Sequence, residues 1–280
     1  MANAESQTRP APPPGAASDW TIPQRWSEYT AAQHAVWDRL YERQVAQLAG
    51  RVAPVFLEGL ERLGMEQPGI PDFERLSARL HKATGWSVVA VPGLVPDDVF
   101  FEHLSQRRFV AGSFIRKPEQ LDYLQEPDVF HDVFGHVPLL AHPVFADYMQ
   151  AYGQGGLRAA HLGAMQRLSH LYWYTVEFGL MRHGDGLRLF GAGIVSSHGE
   201  SAYALDDPAP LRIGFDLRRV LRTEYRIDAY QRNYFVIESF EDLLRQTLEA
   251  DFAPIYAELA SLPTLPIAEV QAGDRLFGVS

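Results

Sequence analysis

The sequence predicts a mostly α fold, a single domain of packed helices with a few short peripheral β-strands. Three observations carry that expectation. Apolar residues recur at helical spacing over several stretches. The strand-like runs are few, short and scattered, and nothing alternates strand with helix in the manner of a doubly wound sheet. A chain of 280 residues, 46% of them hydrophobic, suffices for one large domain with a real core.

Taken in order, residues 1–20 are rich in Ala, Pro and Ser and are expected to form a disordered lead-in. The domain is expected over 21–270, with 271–280 as a tail. Thr30 and Gln33 have capping-box spacing, and Val36, Trp37, Leu40, Tyr41 and Leu48 form an apolar stripe that ends before Gly50. Further helices are expected at 53–63, 72–83 and 97–106. The run WSVVAVPGL reads as a strand over 86–91 entering a Pro-Gly turn, and RRFVAGSFIR, 107–116, as another. The longest helix is expected at 159–182, stopped by the GDG after His183. LRLFGAGIVSS reads as a strand, and YQRNYFVIESF as a strand leading into a helix over 240–250.

Composition removes several classes of function. The net charge of −10 and pI near 5.4 argue against nucleic acid or an anionic membrane as partner. Without cysteine there is no disulfide, thiolate nucleophile, Cys-ligated zinc or iron–sulfur site, so any metal must be held by His, Asp or Glu. The N-terminus lacks the apolar core of a signal peptide, and no apolar run reaches the ~18 residues of a bilayer span. The expected location is the cytoplasm.

The stretch EPDVFHDVFGHVPLL places His131 and His136 five residues apart. On a regular helix that spacing turns the direction by about 140°. Pro127 and Asp128 suit the first turn of a helix, Gly135 suits a left-handed ending, and Pro138 opposes continuation. The expectation is a helix that breaks at Gly135, letting the chain turn His136 back beside His131. The other histidines read as surface or hydrogen-bonded residues, with His142 a rival ligand and His198 bordering the site. A third ligand is sought in LYWYTVEFGLM, apolar around nearly its whole circumference with Glu177 as its only charge. A carboxylate buried there needs an arginine or a metal. Two His and one carboxylate suit non-haem iron(II), while zinc could use the same ligands for hydrolysis.

EPDVFHDVFGHVPLL, LYWYTVEFGL, GAGIVSSHGE and YFVIESF also stand in the order and spacing seen in the pterin-dependent aromatic amino acid hydroxylases. Over about residues 20–250 the chain resembles that family, most of all its short bacterial phenylalanine 4-monooxygenases. The resemblance implies a mostly helical catalytic domain around iron(II), held by His131, His136 and Glu177. It implies that Arg116 grips the substrate carboxylate with Asp128 behind it. Trp173 and Phe178 would line the aromatic pocket, with Gly193, Ser196 and Ser197 close to substrate and metal. Phe100 would stack on the pterin, with Gly93, Leu94, Asp132 and Tyr172 as its other neighbours, and Glu200 would be a buried acid nearby. Taken singly, Trp173, Phe178 and Phe100 read as core aromatics and Arg116 as a surface residue. Their shared register with the metal motif sets them apart. Asp132 stands where the family's animal members carry Glu, and PDDVFFEH departs from their pattern.

The implied reaction is hydroxylation of L-phenylalanine to L-tyrosine by O2, tetrahydrobiopterin or a related reduced pterin, and Fe(II), through a ferryl oxidant. The alternatives are tryptophan or tyrosine hydroxylation on the same scaffold, zinc-dependent hydrolysis, or an inactive metal-binding regulatory protein. The chain has no room for the animal enzymes' regulatory domain or assembly helix, so a monomer without allosteric activation is expected. Tyr123, before the metal motif, is a candidate for lid motion.

Overall fold

A computed structural model describes residues 10–122, 124, 126–184 and 186–278; Tyr123 lies outside them. Helix α1, Ala31–Leu48, opens on the reciprocal Thr30–Gln33 cap, and α2, Pro54–Leu63, ends on Gly64 in the left-handed conformation. Asp72 caps α3, Phe73–Thr84. Next come β1, Ser87–Val91, α4, Asp97–Ser105, and β2, Arg108–Gly112. The two strands pair in parallel across α4. This single βα unit is one that the sequence pattern did not suggest.

The expected break at Gly135 does not occur. Phe130–His136 is a π-helix that runs directly into α5, Val137–Leu140, with His136 itself in helical conformation. Hydrogen bonds from i to i+5 widen the turn, so five residues overshoot a full revolution far less than on an α-helix. His131 and His136 thus share a face because the helix widens, not because it stops. Pro138, with no N–H to give, falls where the wide turn tightens to α. The opposite face carries Phe130 and Phe134, stacked at 4.7 Å, against Trp37, Tyr41 and Phe56 of α1 and α2.

The single helix expected at 159–182 is four elements. Helix α6, Pro143–His161, is followed by a turn through Gly163 at φ 64°, then by α7, Met165–Tyr172. A second π-turn, Trp173–Glu177, leads into β3, Gly179–His183. Apolar spacing runs through all four, because each faces the core, so periodicity alone does not mark the joints. LRLFGAGIVSS likewise splits into β4, Gly186–Leu189, and the short α8, Ala192–Val195.

The remaining elements are α9, His198–Asp206, β5, Leu211–Gly214, α10, Leu217–Arg222, β6, Asn233–Ile237, α11, Phe240–Leu248, α12, Phe252–Ala260, and β7, Leu276–Phe277. The strands that look scattered in sequence gather into a five-stranded sheet, β4-β3-β6-β5-β7. Asp19 hydrogen-bonds Thr21 and pairs with Arg108 at 3.0 Å, so packing begins before Trp20. The tail supplies β7, which pairs with β5. Among the described residues no helix is long and apolar enough to cross a membrane.

One close approach presses α2 onto the metal-motif helix. A Cβ at Gly59 would lie 2.1 Å from the Pro138 carbonyl oxygen, a backbone atom that cannot swing aside. Gly59→Ala is expected to cost about 1–3 kcal/mol, read as a lowered melting temperature by scanning calorimetry.

Candidate active site

The two π-turns meet. His131 Nε2 lies 3.7 Å from Glu177 Oε2, and His136 Nε2 lies 3.3 Å from Glu177 Oε1. The three ligand atoms sit within 4.8 Å of one another. Among the described residues, no other group of three His, Asp or Glu side chains is placed to hold a metal. His142 is not drawn in, since it precedes α6 and packs its ring against Phe240.

The proton on His131 can be located. Ser196 Oγ donates to the Ala192 carbonyl at 2.7 Å, so toward His131 Nδ1, 2.9 Å away, it can only accept. Nδ1 therefore carries the hydrogen, and Nε2 presents a lone pair to Glu177. Burial pushes the His131 pKa down to about 4, so the ring is neutral near pH 7. Burial alone would raise the Glu177 carboxyl; the His136 imidazole and its hydrogen bond outweigh burial and hold it below its usual range. A lone pair thus faces a carboxylate across 3.7 Å, an arrangement that a cation between them makes favourable. The donor set fits a divalent metal with open coordination positions.

Beside it stands a buried ion pair. Asp128 is fully buried and receives Arg116 Nε and Nη2, each at 2.8 Å, and the Arg116 backbone N–H at 2.9 Å. Burial works against the Asp128 charge, but the Arg116 guanidinium holds the carboxyl below its usual range. Oδ1 also accepts the His131 backbone N–H, tying the pair to the metal-motif helix.

A cavity of about 720 Å³ opens over these groups. Its lining includes His131, Glu177, Arg116, Trp173, Phe178, Gly193, Ser196, Ser197, Glu200 and Leu94. Trp173 and Phe178 flank Glu177 in sequence, with ring centroids 4.7 Å apart. A Cβ on Gly193 would lie 2.7 Å from the Phe178 ring, so glycine there preserves the aromatic wall. Ser197 caps α9. Gly93, Phe100, Asp132 and Tyr172 do not line the cavity. Phe100 and Tyr172 lie at its metal end, the Tyr172 ring 6.2 Å from that of His136 and 5.6 Å from that of Phe100, whereas a Cβ on Gly93 would lie 3.6 Å from the Glu126 carboxylate. Asp132 accepts the Gly112 N–H at 2.7 Å, and burial pushes its pKa up to about 7.

The sequence pattern that describes biopterin-dependent aromatic amino acid hydroxylases matches residues 19–254. The chain belongs to this family. It is 62% identical over 266 residues to the phenylalanine-4-hydroxylase of Caulobacter vibrioides, covering 95% of this chain and 90% of that one. Against the enzyme of the same name from Chromobacterium violaceum, identity is 55% over 261 residues, or 93% and 88% of the two chains. The crystal structure of the C. violaceum phenylalanine hydroxylase bound to cobalt superposes with a TM-score of 0.91 at 54% identity, covering 93% of this chain and 94% of that one. The iron- and phenylalanine-bound structure of that enzyme matches at 0.89 and 52%, over 93% and 95%.

The hydroxylase's cavity has a rim that sequence reasoning missed. Leu121, Asp122, Leu124 and Glu126 line it on one side and residues 227–231 on the other. Tyr225, stacked at 4.3 Å on Trp173, was also missed. These residues lie in turns without periodic pattern, although Glu126 opens EPDVFHDVFGHVPLL and Tyr230 and Gln231 open YQRNYFVIESF.

Glu200 is the cavity's second buried acid. It accepts the Gln231 backbone N–H at 3.0 Å and the Tyr234 hydroxyl, and burial raises its pKa from 4.5 to about 7. The folded state therefore binds this proton more tightly than the unfolded chain. The stabilisation is complete below pH 4.5 and is lost as pH rises through about 7, a change on the order of 3 kcal/mol. Glu200→Gln, which cannot ionise, is expected to flatten the fall in melting temperature between about pH 5 and pH 8, measured by calorimetry in matched buffers.

Proposed function

We propose that this hydroxylase converts L-phenylalanine to L-tyrosine with O2, iron(II) and a reduced pterin, and that His131, His136 and Glu177 hold the iron. The observation that carries the metal assignment is the His131 Nε2 lone pair aimed at the Glu177 carboxylate, with the competing proton fixed on Nδ1 by Ser196. Family membership and the relatives' identity support the reaction.

Iron(II), which His131, His136 and Glu177 would hold, and a reduced pterin beside it would supply the dioxygen activation needed to hydroxylate the substrate ring. The chain's own residues bind, orient and exclude water. Arg116 takes the phenylalanine carboxylate, and Asp128 keeps the guanidinium charged and aimed. Because Asp128 also holds the His131 backbone N–H, carboxylate site and metal site keep a fixed spacing. Trp173 and Phe178 flank the substrate ring and displace water, with Gly193 leaving them room. Ser196 maintains the His131 tautomer, and Ser197 anchors α9 beside it. Leu94, Gly93, Phe100 and Tyr172 supply the apolar contacts for the pterin and Asp132 its polar one, while Glu200 braces the far wall. The acidic, cysteine-free composition supports a cytoplasmic setting, and we propose a monomer.

Purified protein given phenylalanine, reduced pterin and O2 is expected to form tyrosine with iron(II) but not with zinc(II) or without metal. Tyrosine formed with zinc alone would overturn the metal assignment. Arg116→Ala is expected to raise KM for phenylalanine about 100-fold, the loss of a charge-assisted pair of hydrogen bonds, while iron content stays within about twofold by elemental analysis. Sedimentation of the purified chain at one protomer's mass checks the monomer.

A further inference from the structure

Trp173 touches two rings, Tyr225 stacked at 4.3 Å and 17° and Phe178 tilted by 40° at 4.7 Å. Stacking fixes the plane of an indole, yet tolerates sliding and rotation within it. Only a contact at the ring edge removes that freedom. The indole Nε1–H donates to Gln231 Oε1 at 2.9 Å.

Gln231 is itself tightly fixed. Its Nε2 donates to the carbonyls of Arg226 at 2.8 Å and Ala229 at 3.2 Å, and its backbone N–H is held by Glu200. An indole only donates and a carbonyl only accepts, so the amide has one workable orientation. The residue is 4% exposed, and the turn it closes, 226–230, presents Ile227, Asp228, Ala229 and Tyr230 to the cavity. One side chain thus joins the aromatic wall to the outer rim.

We infer that Gln231 is a positioning residue for the hydroxylation, acting through the Trp173 indole to set where the substrate ring lies. The inference rests on the reading of Trp173 as a substrate wall. With the edge contact gone, the wall slides against its two neighbours and the substrate ring is held in several poses. Phenylalanine then binds more weakly, and a larger share of pterin oxidation yields no tyrosine.

The test compares Gln231→Met, of similar length but without polar atoms, Trp173→Phe, which breaks the same bond from its other end, and the double variant. Phenylalanine binding is measured by calorimetry on iron-loaded protein without pterin. Turnover is followed as tyrosine formed per pterin oxidised. Gln231→Met is expected to weaken phenylalanine binding and raise KM about tenfold, to leave kcat and iron content within about twofold, and to lower the tyrosine-to-pterin ratio by about half. The double variant is expected to bind no more weakly than the worse single one. Unchanged binding in Gln231→Met, or effects that multiply in the double variant, would overturn the inference. If Gln231→Met does not fold, Trp173→Phe decides: unchanged binding and ratio there overturn it equally. Tyrosine formation by the unaltered protein tests the reaction separately.

Discussion

A neutral imidazole pointing its lone pair at a carboxylate, with the two closer than 4 Å, is a repulsive pairing that a folded chain has to hold in place. Much of the surrounding architecture can be understood as what holds it. Ser196 spends its only proton on the Ala192 carbonyl and so keeps the His131 hydrogen on the far nitrogen. Phe130 and Phe134 lock the back of the histidine helix into the core against α1 and α2. The second π-turn carries Glu177 in from the other side, between α7 and the central sheet. A divalent cation is what turns this arrangement from a cost into a source of stability.

The same helix is tied to the buried Arg116–Asp128 pair. Asp128 sits one turn ahead of His131, and its two oxygens serve Arg116 and the His131 backbone at once. Replacing such a pair by apolar groups is often neutral for stability, whereas stranding one partner costs several kcal/mol. A buried pair retained beside a cavity is therefore better explained by aim than by stability. On the far wall, Glu200, Gln231 and Trp173 form a second chain of contacts that ends on an aromatic ring.

Much of this was legible in the sequence, for physical reasons that can be named. Amphipathic helices with capping residues, such as α1 behind Thr30, declare their own ends. The candidate metal group was legible because a lone carboxylate in an apolar helix and two close histidines are chemically odd. The route by which the histidines meet was not. A glycine and a proline ordinarily signal a break, and local spacing carries no mark that tells a broken helix from a widened one. The joints within 143–183 were hidden because four consecutive elements bury apolar residues at similar intervals. The cavity rim was hidden because turns 121–126 and 226–231 owe their places to contacts made by distant parts of the chain. The five-stranded sheet was unreadable for the same reason: β6 pairs with β3 and β5, partners dozens of residues away in one case.

The widened helix has a consequence for how such a site can change over descent. Two ligands set one π-turn apart are matched by chain length as well as by residue type. Exchanging side chains can delete a ligand, but it cannot shift the pair to the four-residue interval of an ordinary helix. Only losing a residue between Asp132 and Gly135 does that, and the loss would rotate every downstream contact of the helix at once. A lineage carrying this geometry is thus confined to it by steps that must all be taken together.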